Sequence, residues 1–261
     1  MTKIRVRHTK IGDVDELVRI EMDRYADLYS SNKKDAQQVR DLFLTRLGHA
    51  PTWMWTCLLD GRVAGFLSAM PTKKSVQDFV SWEETTNNGT LDGTIDQGGK
   101  NLYVVNLDIA RGSGKHNAQY ALMATLASTA IRTNMNMVFF ESRLPMFRDW
   151  VRATYGLTAF SALSEADKLT IAAQYTHLTK SAKGKMIPHD RLLAFYTASG
   201  FRFDRVLAQA FKDPESLDFG VVCYAVNPLP GLLRRSPWRQ LVGRVLLLGG
   251  RYPAMLDRFI R

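Results

Sequence analysis

The chain has 261 residues, 46% of them hydrophobic, and a formal net charge of +10. That length suits one large domain or one domain with additions, and the apolar content is enough for a proper core. Two cysteines, Cys57 and Cys223, exclude a disulfide framework; both stand in apolar runs and read as buried thiols, with a disulfide between them left open.

The N-terminus, MTKIRVRH, has no apolar signal-peptide core, so a cytoplasmic location is expected. Ile4–Arg7 reads as a first strand. Gly12-Asp13 opens a helix in which Val14, Leu17, Val18, Met22 and Tyr25 share a face, with Asp13 as N-cap. A second helix follows the polar link Ser30–Lys34, its buried side marked by Val39, Leu42, Phe43 and Leu47. Trp53–Leu59 and Arg62–Met70 flank Asp60-Gly61, a strong hairpin signal. Residues 71–100 are polar and glycine-rich, an insertion with either a functional role or none beyond solvation.

The stretch Asn101–Asn134 organises the rest. NLYVVNLDIA reads as a buried strand, RGSGKHN as a glycine-rich turn, and AQYALMATLASTAIRTN as a helix with Ala118, Leu122, Leu126 and Ile131 at helical spacing. A helix that starts after such a turn aims unpaired N–H groups outward from the positive end of its dipole. Arg111 and Lys115 add full charges, so the stretch can cradle a diphosphate. Neither G-x-G-x-x-G nor G-x-x-x-x-G-K-[ST] is present.

Asn136–Ser142 is a further strand. Arg143–Pro188 reads as a helical insertion, with one helix at Phe147, Trp150 and Val151 and another at Leu169, Ala173 and Tyr175. Asp190–Ser199 is a helix stopped by Gly200. Phe201–Phe211 and Phe219–Val226 are a final pair of strands. From Asn227 to Arg261 there are seven Arg, one Asp and no Lys, so this tail carries +6 and the rest +4. A mildly basic body suits a nucleotide-bearing cofactor. No nucleic-acid-binding signature is present, so nucleic acid is not expected as a partner. Five His without paired ligand spacing predict no metal.

In the tail, Ser236-Pro237 starts a helix and Gly249-Gly250 stops it. No apolar run approaches the ~20 residues of a membrane span. The helix either covers apolar surface, on its own domain or in a homodimer, or makes peripheral contact with an anionic membrane.

The order of elements resembles the GNAT acetyltransferase superfamily. Leu193-Ala194-Phe195-Tyr196-Thr197-Ala198-Ser199-Gly200-Phe201 is similar to its A-x-x-F-Y-x-x-x-G-F signature. Arg111-Gly112-Ser113-Gly114-Lys115-His116 resembles its R/Q-x-x-G-x-G/A turn, with His as the last residue. A two-residue shift to Ser113-Gly114-Lys115-His116-Asn117-Ala118 restores the Ala but loses the Arg and the central Gly. Phe211–Gly220 with Asn227-Pro228, and Arg143-Leu144-Pro145, resemble a subgroup of GNAT domains, some joined to nitrilase-like enzymes.

The resemblance covers residues 4–228. It implies an α/β fold with a mixed, mostly antiparallel central sheet flanked by helices, with insertions at about 71–100 and 143–188. Residues 229–261 would form a basic, partly helical extension. It implies an N-acyltransferase that uses acetyl-CoA, or another acyl-CoA, on a small-molecule or peptide amine. A longer acyl-CoA or an acyl-carrier protein as donor is one alternative. A non-catalytic acyl-CoA-binding or membrane-docking module is another.

The implied cofactor-binding residues are Leu107, Ile109, Arg111, Gly112, Ser113, Gly114, Lys115, His116, Asn117, Ala118 and His189. His189 stands where many members carry Asn. Tyr196 is the implied general acid for the leaving thiolate, with simple packing as the other reading. Glu141 is the first choice of general base, unless it only pairs with a cation such as Arg143. Asp108 is the second, and Asn106 could orient the amine or a water.

Overall fold

The structure, a computed structural model, describes residues 2–26, 35–227 and 236–251. The expected link Ser30–Lys34 lies outside the described residues. Two compact units are present: residues 1–138 with 226–261, and residues 139–225. The strands form a seven-stranded, mostly antiparallel central sheet flanked by helices.

The first unit begins β1 (Ile4–His8), α1 (Val14–Arg24), α2 (Ala36–His49), β2 (Met54–Leu59), β3 (Arg62–Thr72). Antiparallel pairing runs β1 to β2, from Ile4↔Leu59, and β2 to β3 through the expected hairpin. Asp60 and Gly61 take φ +48° and +84°, the paired left-handed turn that matches strand twist. Then come the short α3 (Trp82–Thr86), β4 (Asn101–Ile109) and α4 (Ala118–Arg132).

Helices α1 and α2 bury Val14, Leu17, Val18, Ile20, Val39 and Phe43 on Met54 of β2 and Phe66 of β3. Phe43 meets Phe66 edge-to-face with ring centroids 5.1 Å apart. Helix α4 packs along β1 to β4.

Three local expectations are corrected here. Asp13 precedes α1 but its carboxylate does not cap it. Instead it accepts from the Lys10 N–H at 2.8 Å and, in charge-assisted bonds, from Arg7 at 2.6 and 2.7 Å, which turns it away from the helix. On α2 the buried positions are Val39, Phe43 and Arg46, whereas Leu42 and Leu47 are only half-buried. In the tail, α9 (Ser236–Arg251; numbering follows the chain) starts where expected but runs through Gly249 and Gly250.

Helix α9 lies against α4. Arg132 Nε donates to Gln240 Oε1 at 2.7 Å, and a side chain at Gly243 would run into Arg132. Leu241 and Val245 stay exposed. The chain enters this segment through Asn227, whose N–H donates to the Asn136 carbonyl and whose Nδ2 donates to that of Met135. No helix among the described residues is long and apolar enough to cross a membrane.

The second unit takes up β5 (Met137–Arg143) and continues α5 (Phe147–Thr154), α6 (Leu157–Ser161), α7 (Glu165–Thr176), β6 (Thr179–Ala182), β7 (Lys185–Pro188), α8 (Arg191–Ala198), β8 (Arg202–Leu207), β9 (Gly220–Val226). The insertion expected to be helical therefore ends in a separate β-hairpin. Its turn is Lys183-Gly184, at φ +49° and +77°, and lysine there carries no turn signal in a sequence.

Phe147 is fully buried among Trp150, Phe160, Tyr175 and Phe219, with ring centroids 5.0–6.0 Å away. Asp190, 1% exposed, caps α8 at Leu192 N and accepts from the Tyr175 hydroxyl at 2.9 Å. Burial, then the Asp190 charge, raises the Tyr175 pKa. The two segments of the finer sequence likeness meet here. Leu144 N donates to Ser216 Oγ at 2.9 Å, and Arg143 lies 3.4 Å from Asp213. Both cysteines are free and buried. Burial pushes the Cys57 thiol up to about 12 and Cys223 well above its ordinary value.

Candidate functional site

Strand β4 is irregular where its chemistry is expected. Its register with β3 slips between Ser68 and Ala69, so that Val105 is an extra residue between Val104↔Ala69 and Asn106↔Ser68. A bulge re-aims the residues that follow it. Beyond it, Leu107 pairs with Leu67 and Ile109 with Gly65, both half-buried. Asp108 faces the other way, opposite Phe66 in the α1/α2 core, and is 3% exposed. Alternation therefore parts Asp108 from Leu107 and Ile109.

The glycine turn follows. Gly112 is left-handed at φ +78°, Ser113–His116 form one 3-10 turn, and Asn117 is left-handed at φ +63° before α4 begins at buried Ala118. Ser113 N bonds the Ala110 carbonyl and Asn117 N that of Gly114. Among the described residues no side chain caps α4, and its first turn holds no acid. Its first N–H groups thus keep their partial positive charge for an external acceptor.

A cleft of about 620 Å³ opens beside the turn. Ser113, Arg111 and His116 line it from the turn, with Arg19 and Asp23 from α1 and Arg62 from β3. Arg111 Nε sits 2.9 Å from Asp23, both well exposed at 73% and 41%. An exposed pair of this kind holds by only about 0–1 kcal/mol, so Arg111 can exchange it for a phosphate oxygen.

The other sequence-derived residues lie in the second unit. Tyr196 on α8 is 9% exposed, its ring 4.7 Å from Phe140 and 6.3 Å from Phe201. Glu141 is on β5 with its carboxylate oxygens shielded from solvent, against Gly220 of β9. Its charge raises the Cys223 pKa after burial has done so. His189 is half-buried, with its carbonyl accepting from Lys180 Nζ at 2.8 Å and its ring 6.0 Å from Tyr175. Among the described residues no group of three His, Cys, Asp or Glu is placed to hold a metal.

The loading GNATL domain of CurA from Lyngbya majuscula superposes with a TM-score of 0.59 at 15% identity, over 86% of this chain and 98% of that one. GphF GNAT-like decarboxylase, in complex with isobutyryl-CoA, gives a TM-score of 0.58 at 19% identity, over 85% and 98%. The chain has the GNAT fold. An N-acetyltransferase from Staphylococcus aureus Mu50 shares this GNAT architecture with a TM-score of 0.50 at 9% identity, over 86% and 98%. No protein-family model matches the chain, and neither does any curated protein.

Sequence reasoning missed Arg46, Ser68 and Trp82 on the GNAT scaffold. The available signal was a cation three residues after Phe43, on the apolar side of α2. Pattern reading treats such an arginine as solvated.

Proposed function

We propose that the protein is an acyl-CoA-dependent N-acyltransferase, with acetyl-CoA as first-choice donor and a primary amine as acceptor. The observation that carries this is the uncapped N-terminus of α4, behind a glycine turn and beside a cleft. A CoA diphosphate fits that chemistry, with Gly112 to Ala118 supplying backbone donors and Arg111 a charge. Leu107 and Ile109 flank the pantetheine and His189 contacts the cofactor. The complex of GphF with isobutyryl-CoA supports an acyl-CoA ligand on this fold.

In the reaction a neutral amine nitrogen attacks the thioester carbonyl carbon. The C–N bond forms, the C–S bond breaks, and the thiolate needs a proton. Tyr196 supplies it, its phenolic O–H being a proton donor. Glu141, or else Asp108, takes the proton from the amine, directly or through water.

The test pairs a CoA-binding measurement with thiol release from acetyl-CoA and isobutyryl-CoA over a panel of amines. Binding with amine-dependent release is the expected result. Binding with no release on any amine would make the protein an acyl-CoA-binding module, and no binding would overturn the proposal.

A further inference from the structure

The inner side of α2 carries a cation where its spacing leads one to expect an apolar residue. Arg46 is 0% exposed. Its Nε donates to the Gly89 carbonyl at 2.5 Å and its Nη1 to Asn106 Oδ1 at 2.8 Å. Its guanidinium lies 5.5 Å from the Phe43 ring centroid and 5.8 Å from that of Trp82. Gly89 stands at φ +87°, and a methyl group there would collide with Arg46 and Trp82. Only glycine allows that carbonyl so close. Trp82 Nε1 donates at 3.0 Å to the carbonyl of Val105, the bulge residue. The polar insertion, α2 and the bulge of β4 are thus fastened together.

The fastening fixes a direction. A guanidinium only donates hydrogen bonds. The Asn106 atom facing it must be the amide oxygen, which turns Nδ2, a donor, the other way. Asn106 is half-buried, so part of it meets solvent. Opposite it on β3, Ser68 is 0% exposed with an Oγ that has no hydrogen-bond partner among the described residues. Asp108 shares this face two residues along. The charge behind the amide polarises it toward an oxygen ligand.

We infer that Asn106, locked by Arg46, is a specificity-determining residue. Its Nδ2 donates to a carbonyl or carboxylate oxygen carried by the amine acceptor. The acceptor is therefore an amine with an oxygen function near its nitrogen, as in an amino acid or an amino amide. This inference rests on the acyltransferase reading.

The test compares kcat/KM for an amino acid, its amide and an alkylamine of equal length. The wild type should favour the oxygen-bearing amines by about tenfold, the worth of one charge-backed hydrogen bond. Asn106→Ala should bring the ratio near one, with CoA affinity kept within about twofold. Asn106→Asp, an acceptor only, should disfavour the amino acid most. Arg46→Lys keeps the charge but loses the fork, and should weaken the preference while the protein still melts cooperatively. A wild type without preference, or an Asn106→Ala variant that retains it, overturns this inference alone. Failure of the wild type to acylate any amine overturns the function reading beneath it.

Discussion

Replacing Gly114 separates binding from folding more cleanly than any other change at the turn. Gly114 is not left-handed, and among the described residues a Cβ built on it meets only Gln119 Oε1, at 3.8 Å, an ordinary contact. Alanine therefore fits the folded protein and restricts the unfolded chain, a gain of about 0.4–1 kcal/mol. For a chain of this size that is a rise of roughly 1–4 °C in Tm. A bound diphosphate would have to share that space. Losing two amide contacts to it, each worth about 1.5–3 kcal/mol when the partner is charged, weakens binding by at least about 100-fold. Gly114→Ala and Gly114→Leu, measured by thermal melting and by calorimetric titration with CoA, should leave or raise Tm while affinity falls, more for Leu. Unchanged CoA affinity in the Leu variant refutes the placement of the diphosphate on this turn.

Tyr196→Phe should cut turnover by roughly 10²–10⁴-fold with CoA affinity intact; wild-type turnover would leave the ring of Tyr196 as packing only. Burial pushes the Asp13 pKa up, but its bonds to Arg7 and to the Lys10 N–H outweigh that and lower it overall. Its stabilisation is present above the unfolded value near 3.9 and is lost as pH falls through the lower folded value. Asp13→Asn should cost about 2–3 kcal/mol at neutral pH and flatten the acid limb of the stability curve, read by denaturant titration from pH 7 to 2; an unchanged limb removes Asp13 as its source. Gly243→Leu should push α9 off Arg132 and speed protease cleavage in α9, with α4 still helical. Cleavage at the wild-type rate would mean that α9 tolerates the side chain in place.

Much of this was legible in the sequence where one short segment decides its own structure. Asp60-Gly61 fixes the β2–β3 hairpin, Gly200 ends α8, and the apolar run from Asn101 followed by glycines is a strand, turn and helix. What escaped notice depends on partners distant in the chain. Arg46 is buried because Gly89 and Asn106 accept its hydrogen bonds, and they lie 43 and 60 residues away. Asp13 reads as a helix cap until Arg7, on the preceding strand, takes its carboxylate. The β6–β7 hairpin has Lys-Gly at its turn and few β-branched residues. Gly249 and Gly250 did not stop α9, whose earlier part is held by packing on α4 rather than by propensity.

The pairing of α9 with α4 has a consequence for how the chain is made. Arg132 and Gln240 are 108 residues apart, and the second unit is read out wholly between them. On a ribosome, the first unit emerges with one side of α4 uncovered. It must wait through residues 139–225 before α9 arrives. That unit, although translated before the second one, closes only after it, and slowed elongation between residues 139 and 240 would lengthen its exposure to chaperones.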